Sequence, residues 1–266
     1  MSRALFRKYT GHYVYLDEVS CNMVIQLNPE PEEQDVQVLA DFPEDEELVI
    51  TRVERLKKSN YRYLIHFGAY NMTVHEDVMI KYRMISGSSF VKADLEEIVA
   101  VDERQRAYVE GLRYLERKPR TAQEMARRLR EKEIGETVIA EVLNRLQEER
   151  LLDDPLYAKQ WAEQRITNQR KGKMWIRQEL REKGIEKSLI SEALDQITPE
   201  QELESALQTG RKKWSLLRGD INDKRRKTGA FLMRRGFSGE MVRQVIQILR
   251  EEEDSEGEDE EIYFPD

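Results

Sequence analysis

Residues 180–197, LREKGIEKSLISEALDQI, carry a pattern of apolar residues that occurs three times in the second half of the chain. The apolar positions of this segment are Leu180, Ile185, Leu189, Ile190, Ala193, Leu194 and Ile197. Residues 129–146, LREKEIGETVIAEVLNRL, and residues 232–249, LMRRGFSGEMVRQVIQIL, repeat the same spacing. Because the last six positions follow one face of an α-helix, each copy predicts an amphipathic helix that packs on one side.

The residues between these helices repeat as well. Gly184 and Gly236 occupy equivalent positions, where the end of a helix favours a left-handed residue. Glu133 occupies that position in the first copy, so we expect its turn to close differently. Three helix starts are predicted by capping residues: Thr121 with Glu124, Asp154 before Pro155, and Thr198 before Pro199 with Gln201.

The region before residue 100 has a different periodicity. Tyr61, Tyr63, Ile65 and Phe67 alternate with the residues between them, which predicts a β-strand flanked by two others. The predicted fold is therefore mainly α, with three tandem three-helix repeats in an elongated array after a small antiparallel sheet. The predicted segments are an N-terminal extension with an acidic linker (1–47), a small β-rich region with short helices (48–100), helical repeats at 101–152, 153–198 and 199–250, and a disordered acidic tail (251–266).

Charge is distributed unevenly along the chain. The net charge is -8, but residues 1–100 carry -6, residues 101–250 carry +8 and residues 251–266 carry -10. A basic segment between acidic ones is expected of a protein that binds a polyanion. The tail is predicted either to compete for the basic repeats or simply to keep the protein in solution.

Composition argues against several classes of protein. One cysteine and three widely spaced histidines cannot form a disulfide framework or a four-ligand zinc site, so no metal or cofactor is predicted. The sequence shows no apolar run typical of a signal peptide or a membrane span, and we therefore expect a cytoplasmic protein that does not bind membranes.

Basic clusters supply the candidate binding residues. Lys173, Arg177 and Arg181 are predicted to form one row on a helix, where like charges repel unless an anion compensates them. The other candidates are Arg127, Arg128 and Arg130 in the first repeat, Arg170 and Lys171 in the second, and Arg211, Lys212, Lys213, Lys224, Arg225, Arg226 and Lys227 in the third. The equivalent Lys132, Lys183 and Arg235 rank below these, because a cation at a helix end complements the helix dipole. Trp214 is interpreted as a core residue rather than a base-stacking one.

The adjacent carboxylates Asp153 and Asp154 suggest a catalytic or metal site. We interpret them as structural, because they precede a helix that begins with Pro155 and no matched partner cluster is present.

Residues 104–250 resemble the RecX family, bacterial regulators of the recombinase RecA. The residues that carry the resemblance are Leu151-Leu152-Asp153-Asp154, Tyr157-Ala158, Gly172, Ile176, Glu179-Leu180, Lys183-Gly184-Ile185 and Arg235-Gly236-Phe237. The region from about 48 to 99 is similar to the N-terminal extension of longer members. The resemblance implies an elongated array of three-helix modules that binds along the groove of the RecA–DNA filament and restrains strand exchange, ATPase and coprotease activity in DNA repair, recombination and the SOS response. We expect a monomer, and the sequence shows no catalytic group.

Two alternatives stay open. Three-helix units also occur in proteins that bind single- or double-stranded DNA on their own, although Ser188 and Ser238 do not supply a base-reading set. A metal-dependent nuclease that uses Asp153 and Asp154 is the second alternative.

Overall fold

A computed structural model of the chain describes residues 7–9, 12–15, 24–25, 39–57 and 61–261, with side chains for 39–57 and 61–255. The described residues form two compact units. The first contains residues up to 120 together with 124–152, and the second contains residues 121–123 and those from 153 onward. The six segments predicted from the sequence stay a prediction.

The strands of the first unit form antiparallel sheets. Their bounds are β1 Arg7–Tyr9, β2 His12–Tyr15, β3 Val24–Ile25, β4 Leu48–Val49, β5 Arg52–Arg55, β6 Arg62–Phe67, β7 Tyr70–His75 and β8 Ser89–Phe90. One sheet has the order β1-β2-β3, another β5-β6-β7, and β4 pairs with β8. The predicted strand that contains Ile65 is confirmed as β6, the central strand of its sheet. Residues 58–60, which connect β5 to β6, lie outside the described residues.

The helices follow the order expected for three-helix repeats. Their bounds are α1 Glu76–Lys81, α2 Lys92–Glu116, α3 Ala122–Glu131, α4 Glu136–Glu148, α5 Asp154–Thr167, α6 Lys173–Glu182, α7 Lys187–Asp195, α8 Pro199–Ser215, α9 Ile221–Arg234 and α10 Gly239–Glu261. Helices α2–α4, α5–α7 and α8–α10 each enclose a separate apolar core. The predicted mainly helical fold with a small sheet before three three-helix units is confirmed.

The sheet β5-β6-β7 packs its apolar face on the start of α2. Ile65 and Val74 of the sheet and Leu95 of α2 are fully buried in this core. Leu39 and Phe42, which lie in the predicted acidic linker, also pack here, with the Phe42 ring 5.0 Å from that of Tyr70. The end of this segment is therefore part of the first unit, whereas residues 28–38 lie outside the described residues.

A buried ion pair fixes β6 to α2. The Arg62 guanidinium donates to the Asp102 carboxylate at 3.0 Å, and both side chains are nearly inaccessible to solvent. The backbone N–H of His75 donates to the other Asp102 oxygen at 2.6 Å. Because a buried carboxylate left without partners is costly, this pair should be sensitive to loss of either member.

The three repeats close the turn after their middle helix in the same way. The backbone N–H groups of Ile134, Ile185 and Phe237 donate to the carbonyls five residues earlier, at 3.1–3.3 Å. Glu133 has a φ of +59°, in the same left-handed region as Gly184 and Gly236. The expectation that the first copy closes differently is wrong, because the Glu133 side chain is exposed and its backbone accepts the strained conformation.

Close packing explains why the later copies have glycine. A Cβ atom on Gly236 would lie 2.4 Å from the backbone nitrogen of Trp175. A Cβ atom on Gly184 would lie 1.7 Å from the Gln123 amide oxygen. Glycine is required at these two turns both for φ and for space, whereas Glu133 carries its side chain into solvent.

Two predicted helix starts can be compared with the observed caps. Thr198 and Gln201 form the predicted capping box at α8. The N-cap of α5 is Asp153, whose carboxylate accepts from the N–H of Leu156 at 2.8 Å. The prediction of Asp154 as the cap is wrong by one residue, because α5 already includes Asp154 and the proline follows inside its first turn.

The acidic C-terminal segment is helical as far as Glu261. The prediction that residues 251–266 are disordered is wrong for 251–261, which continue α10, while 262–266 lie outside the described residues. The first acids of this extension, Glu252 and Glu253, pair with basic residues of α8 and α9. These pairs supply a stabilisation that composition alone does not reveal.

Candidate binding surface

The basic candidates of the first repeat are largely neutralised within the unit. Arg128 donates to Glu110 at 2.7 Å, and Arg130 pairs with Glu136 at 2.5 Å. Arg127 is exposed and has no ion pair among the described residues. Arg128 and Arg130 thus each have a carboxylate partner, and their part in binding stays a prediction. Of the three candidates in this repeat, Arg127 is the one without an ion pair in the part of the chain that the structure describes.

Of the three basic residues predicted to form a row on α6, two are exposed. Lys173 is half-buried, and its ammonium donates to the backbone carbonyl of Ile197 at 2.7 Å. It is the first residue of α6, so its side chain reaches the end of the following helix instead of solvent. Arg177 and Arg181 are exposed, and neither has an ion pair in the described part of the chain. The prediction that the three residues form one row of solvent-facing cations is therefore wrong for Lys173.

The acids of α10 neutralise part of the third repeat. Arg211 donates to Glu252 at 2.5 Å, and Lys224 pairs with Glu253. Glu253 also accepts from the indole N–H of Trp214 at 2.8 Å. Trp214 is buried, as predicted for a core residue. Hydrogen bonds from Arg211 hold the pKa of Glu252 below its ordinary value, as those from Lys224 do for Glu253, although burial opposes the shift.

Two of the basic residues in the first turns of α9 are paired with an acidic residue of the same helix. The Asp223 carboxylate accepts from Arg226 at 3.0 Å and from Lys227 at 3.2 Å. Hydrogen bonds from Arg226 and then Lys227 lower the pKa of Asp223. Arg225 is exposed and has no ion pair among the described residues. The cluster 224–227 is therefore less positive than its sequence indicates.

Three other candidates come together around one pocket in the second unit. Arg170, Lys212 and Lys213 line it together with Arg235, whose charge was attributed above to its place at a helix end. The pocket has a volume of about 460 Å³, and its remaining lining residues are Asn168, Gln169, Thr209, Leu216 and Phe231. None of these lining residues carries a carboxylate. Arg235 lies at a helix end, which by itself accounts for a cation there, so the sequence did not indicate that it lines a pocket, and no sequence signal identified Phe231 or Leu216.

The backbone and neighbouring groups fix the pocket cations in place. Arg170 has a φ of +50° in the loop after α5, and its Nε donates to the Gln208 side chain at 2.8 Å. Arg235 donates to the carbonyl of Gln169 at 2.9 Å, and its guanidinium lies 5.2 Å from the centre of the Phe231 ring. The Lys213 ammonium lies 5.8 Å from the same ring. The pocket thus combines positive charge with an aromatic side wall.

An aromatic and basic group adjoins this pocket at the start of α6. The Lys171 ammonium lies 3.6 Å from the centre of the Trp175 ring, which is partly exposed. Burial lowers the pKa of Lys171, and the charge of Arg235 lowers it further. A lysine in this setting gains from an added anion, because the nearby positive charge disfavours its own ammonium form.

Glu179 stabilises the core of the second repeat. Its carboxylate accepts from the indole groups of Trp161 at 2.9 Å and Trp175 at 3.0 Å, and from Arg165 at 2.7 Å. Burial by itself would raise the pKa of Glu179, but the hydrogen bonds from Trp175, Arg165 and Trp161 together lower it. Glu179 therefore holds both indole rings and Arg165 in place on this side of the repeat.

The paired carboxylates Asp153 and Asp154 both accept backbone hydrogen bonds. Asp153 caps α5, and Asp154 accepts from the N–H of Ala122 at 2.9 Å. In the described residues, no group of three or more His, Cys, Asp or Glu side chains is arranged to hold a metal ion. The same part of the chain has no helix that is both long and apolar enough to span a membrane.

Comparisons with known proteins agree with this architecture. Residues 107–146, 153–194 and 200–246 match the sequence models of the first, second and third three-helix domains of RecX. The regulatory protein RecX of Bacillus cereus is 30% identical over 222 residues, which cover 81% of this chain and 82% of that protein. The regulatory protein RecX of Bacillus cytotoxicus is 29% identical over the same length and coverage.

Solved structures give the same result. A crystal structure of a regulatory protein RecX superposes with a TM-score of 0.63 at 29% identity, covering 74% of this chain and 98% of that one. A crystal structure of RecX from Lactobacillus salivarius superposes with a TM-score of 0.53 at 27% identity. The match covers 56% of this chain and 98% of that one. The three-helix repeats, the relatives and these structures together show that the chain belongs to the RecX family of regulatory proteins.

Proposed function

We propose that this protein binds the RecA–DNA filament and restrains recombinase activity in DNA repair and recombination. The observation that carries the proposal is the concentration of uncompensated positive charge on the second unit of a chain whose net charge is -8. Arg177 and Arg181 are exposed on α6, and four further cations surround the pocket. We propose that the protein acts in the cytoplasm, as a monomer, and by binding rather than by catalysis.

Electrostatics explains how an acidic protein can bind a polyanion. Many cations of this chain are paired with acids, so the unpaired ones on the second unit determine the local potential. Each lysine or arginine that neutralises a phosphate releases condensed counterions, which makes binding favourable and sensitive to salt. Helices that present such residues on a fixed scaffold also position the protein along the filament.

The test is the DNA-dependent ATPase of the host recombinase with and without stoichiometric protein. We expect the protein to lower the rate, and to lose this effect as the salt concentration rises. An ATPase rate that does not change at low salt would refute the proposal.

Charge-reversal variants identify the surface involved. The double variant Arg177→Glu with Arg181→Glu should weaken inhibition by about tenfold or more, since two phosphate or carboxylate contacts become repulsive. The matched control is Lys187→Glu with Arg243→Glu, two exposed residues of the same unit outside the proposed surface. Equal inhibition by the two variants would mean that the exposed face of α6 is not used.

A further inference from the structure

We propose that the pocket between the ends of α5, α8 and α9 binds one nucleotide of single-stranded DNA. Its phosphate lies among Arg170, Lys212, Lys213 and Arg235, and its base lies against Phe231. The inference deepens the proposed function, because it assigns part of the filament contact to DNA itself. Its first test measures binding to DNA without recombinase.

The charge in the pocket exceeds what the fold itself requires. Asn168, Leu216 and Arg235 are the C-caps of α5, α8 and α9, and all three line the pocket. Each helix C-terminus contributes about half a negative charge, so three of them offset about 1.5 of the four positive charges. The pocket therefore keeps a net charge of roughly +2.5. A bound anion would neutralise this charge.

The absence of acids from the pocket lining distinguishes this cluster from the others. Arg211, Lys224 and Arg226 each have a carboxylate partner in the described structure. Lys212 and Lys213 have none there. Arg170 donates to the uncharged Gln208 side chain, and Arg235 donates to the Gln169 carbonyl. In a chain with 52 acidic residues, a pocket with four cations and no acid fits a negatively charged ligand.

The apolar groups of the pocket indicate that the ligand is more than a phosphate. Phe231 forms one wall, and Leu216 is 78% exposed at the rim. Aromatic side chains beside a basic groove stack on bases of single strands regardless of sequence. A volume of about 460 Å³ is within the range of pockets that hold small organic groups. In a duplex the base faces are covered by stacking, so an unpaired strand fits this wall best.

Binding of fluorescent oligothymidylate by the full chain, measured by anisotropy without recombinase, tests the inference. The double variant Lys212→Gln with Lys213→Gln should bind about tenfold more weakly at low salt, and the slope of log affinity against log salt should fall by about 1.4, or about 0.7 for each lost contact. The control Lys187→Gln with Arg243→Gln removes the same charge elsewhere on the unit and should bind within about twofold of wild type. If both variants lose affinity for the strand equally, the strand binds through the overall positive charge of the unit and not in the pocket, and the inference is wrong.

Two further ligands separate the phosphate from the base. An abasic strand of the same length should bind more weakly to wild type but equally to wild type and Phe231→Leu, because it has no base to stack. If free tripolyphosphate displaces the strand at equal phosphate concentration, the site is one for free phosphate and the inference is wrong. If wild type does not bind any single strand but binds recombinase alone, the pocket takes an acidic protein surface and the inference is also wrong.

The inference and the proposed function can fail separately. Loss of strand binding in the pocket variant with no effect of wild type on the recombinase ATPase would keep the inference and refute the proposed function. If wild type and pocket variant inhibit the ATPase equally and bind the strand equally, the proposed function is kept and the inference is refuted.

Discussion

Gly172 lies at a tight backbone contact between the second and third repeats. Its backbone N–H donates to the carbonyl of Arg235 at 2.9 Å, and the N–H of Met174 donates to the carbonyl of Gly236 at 3.1 Å. A Cβ atom on Gly172 would lie 2.2 Å from the Gly236 oxygen. The φ of Gly172 is -74°, which any residue can adopt, so the substitution Gly172→Ala tests packing alone.

These contacts determine how much stability Gly172→Ala should cost. Relief of the overlap requires a separation of about 1 Å or more, since non-bonded heavy atoms pack at roughly 3.5 Å. Both backbone hydrogen bonds would then be stretched or broken, at about 1–3 kcal/mol for each donor left unsatisfied. We expect Gly172→Ala to lower the free energy of unfolding of the second unit by about 2–6 kcal/mol.

Denaturant unfolding followed by tryptophan fluorescence measures this change directly. All three tryptophans, Trp161, Trp175 and Trp214, belong to the second unit, and Trp175 lies at the contact itself. The control Gly229→Ala places a Cβ at an ordinary 3.6 Å from Val242, and should stabilise helix α9 by about 0.5–1 kcal/mol. If Gly172→Ala unfolds at the same denaturant concentration as wild type, the close approach of the repeats is not real.

Three further predictions concern single groups. Glu133→Gly should raise stability by about 0.5–1 kcal/mol in thermal unfolding, because glycine removes the left-handed strain, and a loss of stability would contradict that reading. Glu179→Gln should destabilise the second unit by about 1–3 kcal/mol near neutral pH. Since the folded pKa of Glu179 is lowered, the contribution of its carboxylate is complete above the unfolded pKa and disappears as pH falls through the folded one, so wild type and variant should converge in acid. Asp102→Ala should cost about 3–5 kcal/mol in chemical unfolding of the first unit, because Arg62 stays buried without its partner, and a loss under 1 kcal/mol would mean that the pair is hydrated.

The repeat pattern predicted the helical architecture because it is set by local periodicity. Apolar spacing at 129–146 and its two copies identified the packing face, and the Thr198 box identified a helix start. The conformation of Glu133 could not be predicted in this way, since a left-handed residue depends on the helices that it joins. The need for glycine at positions 184 and 236 depends on contacts with segments far away in sequence.

The candidate site was predicted only in part, because composition does not show which charges are paired. Arg128 and Lys224 are basic in sequence but are compensated by Glu110 and Glu253 in the fold. Lys173 was assigned to solvent by its place on a helix, yet its ammonium reaches a carbonyl of another segment. The pocket depends on residues from three helix ends, and no single stretch of sequence contains it.

The central claim is that the uncompensated charge of the second unit holds this protein on a recombinase–DNA filament. Co-sedimentation with preformed filaments of the host recombinase on single-stranded DNA, over a range of salt concentrations, tests it most directly. We predict that wild type pellets with the filament at low salt and is released progressively as salt rises, and that the Arg177→Glu, Arg181→Glu variant stays in the supernatant. Wild-type protein that stays in the supernatant at low salt would contradict the account.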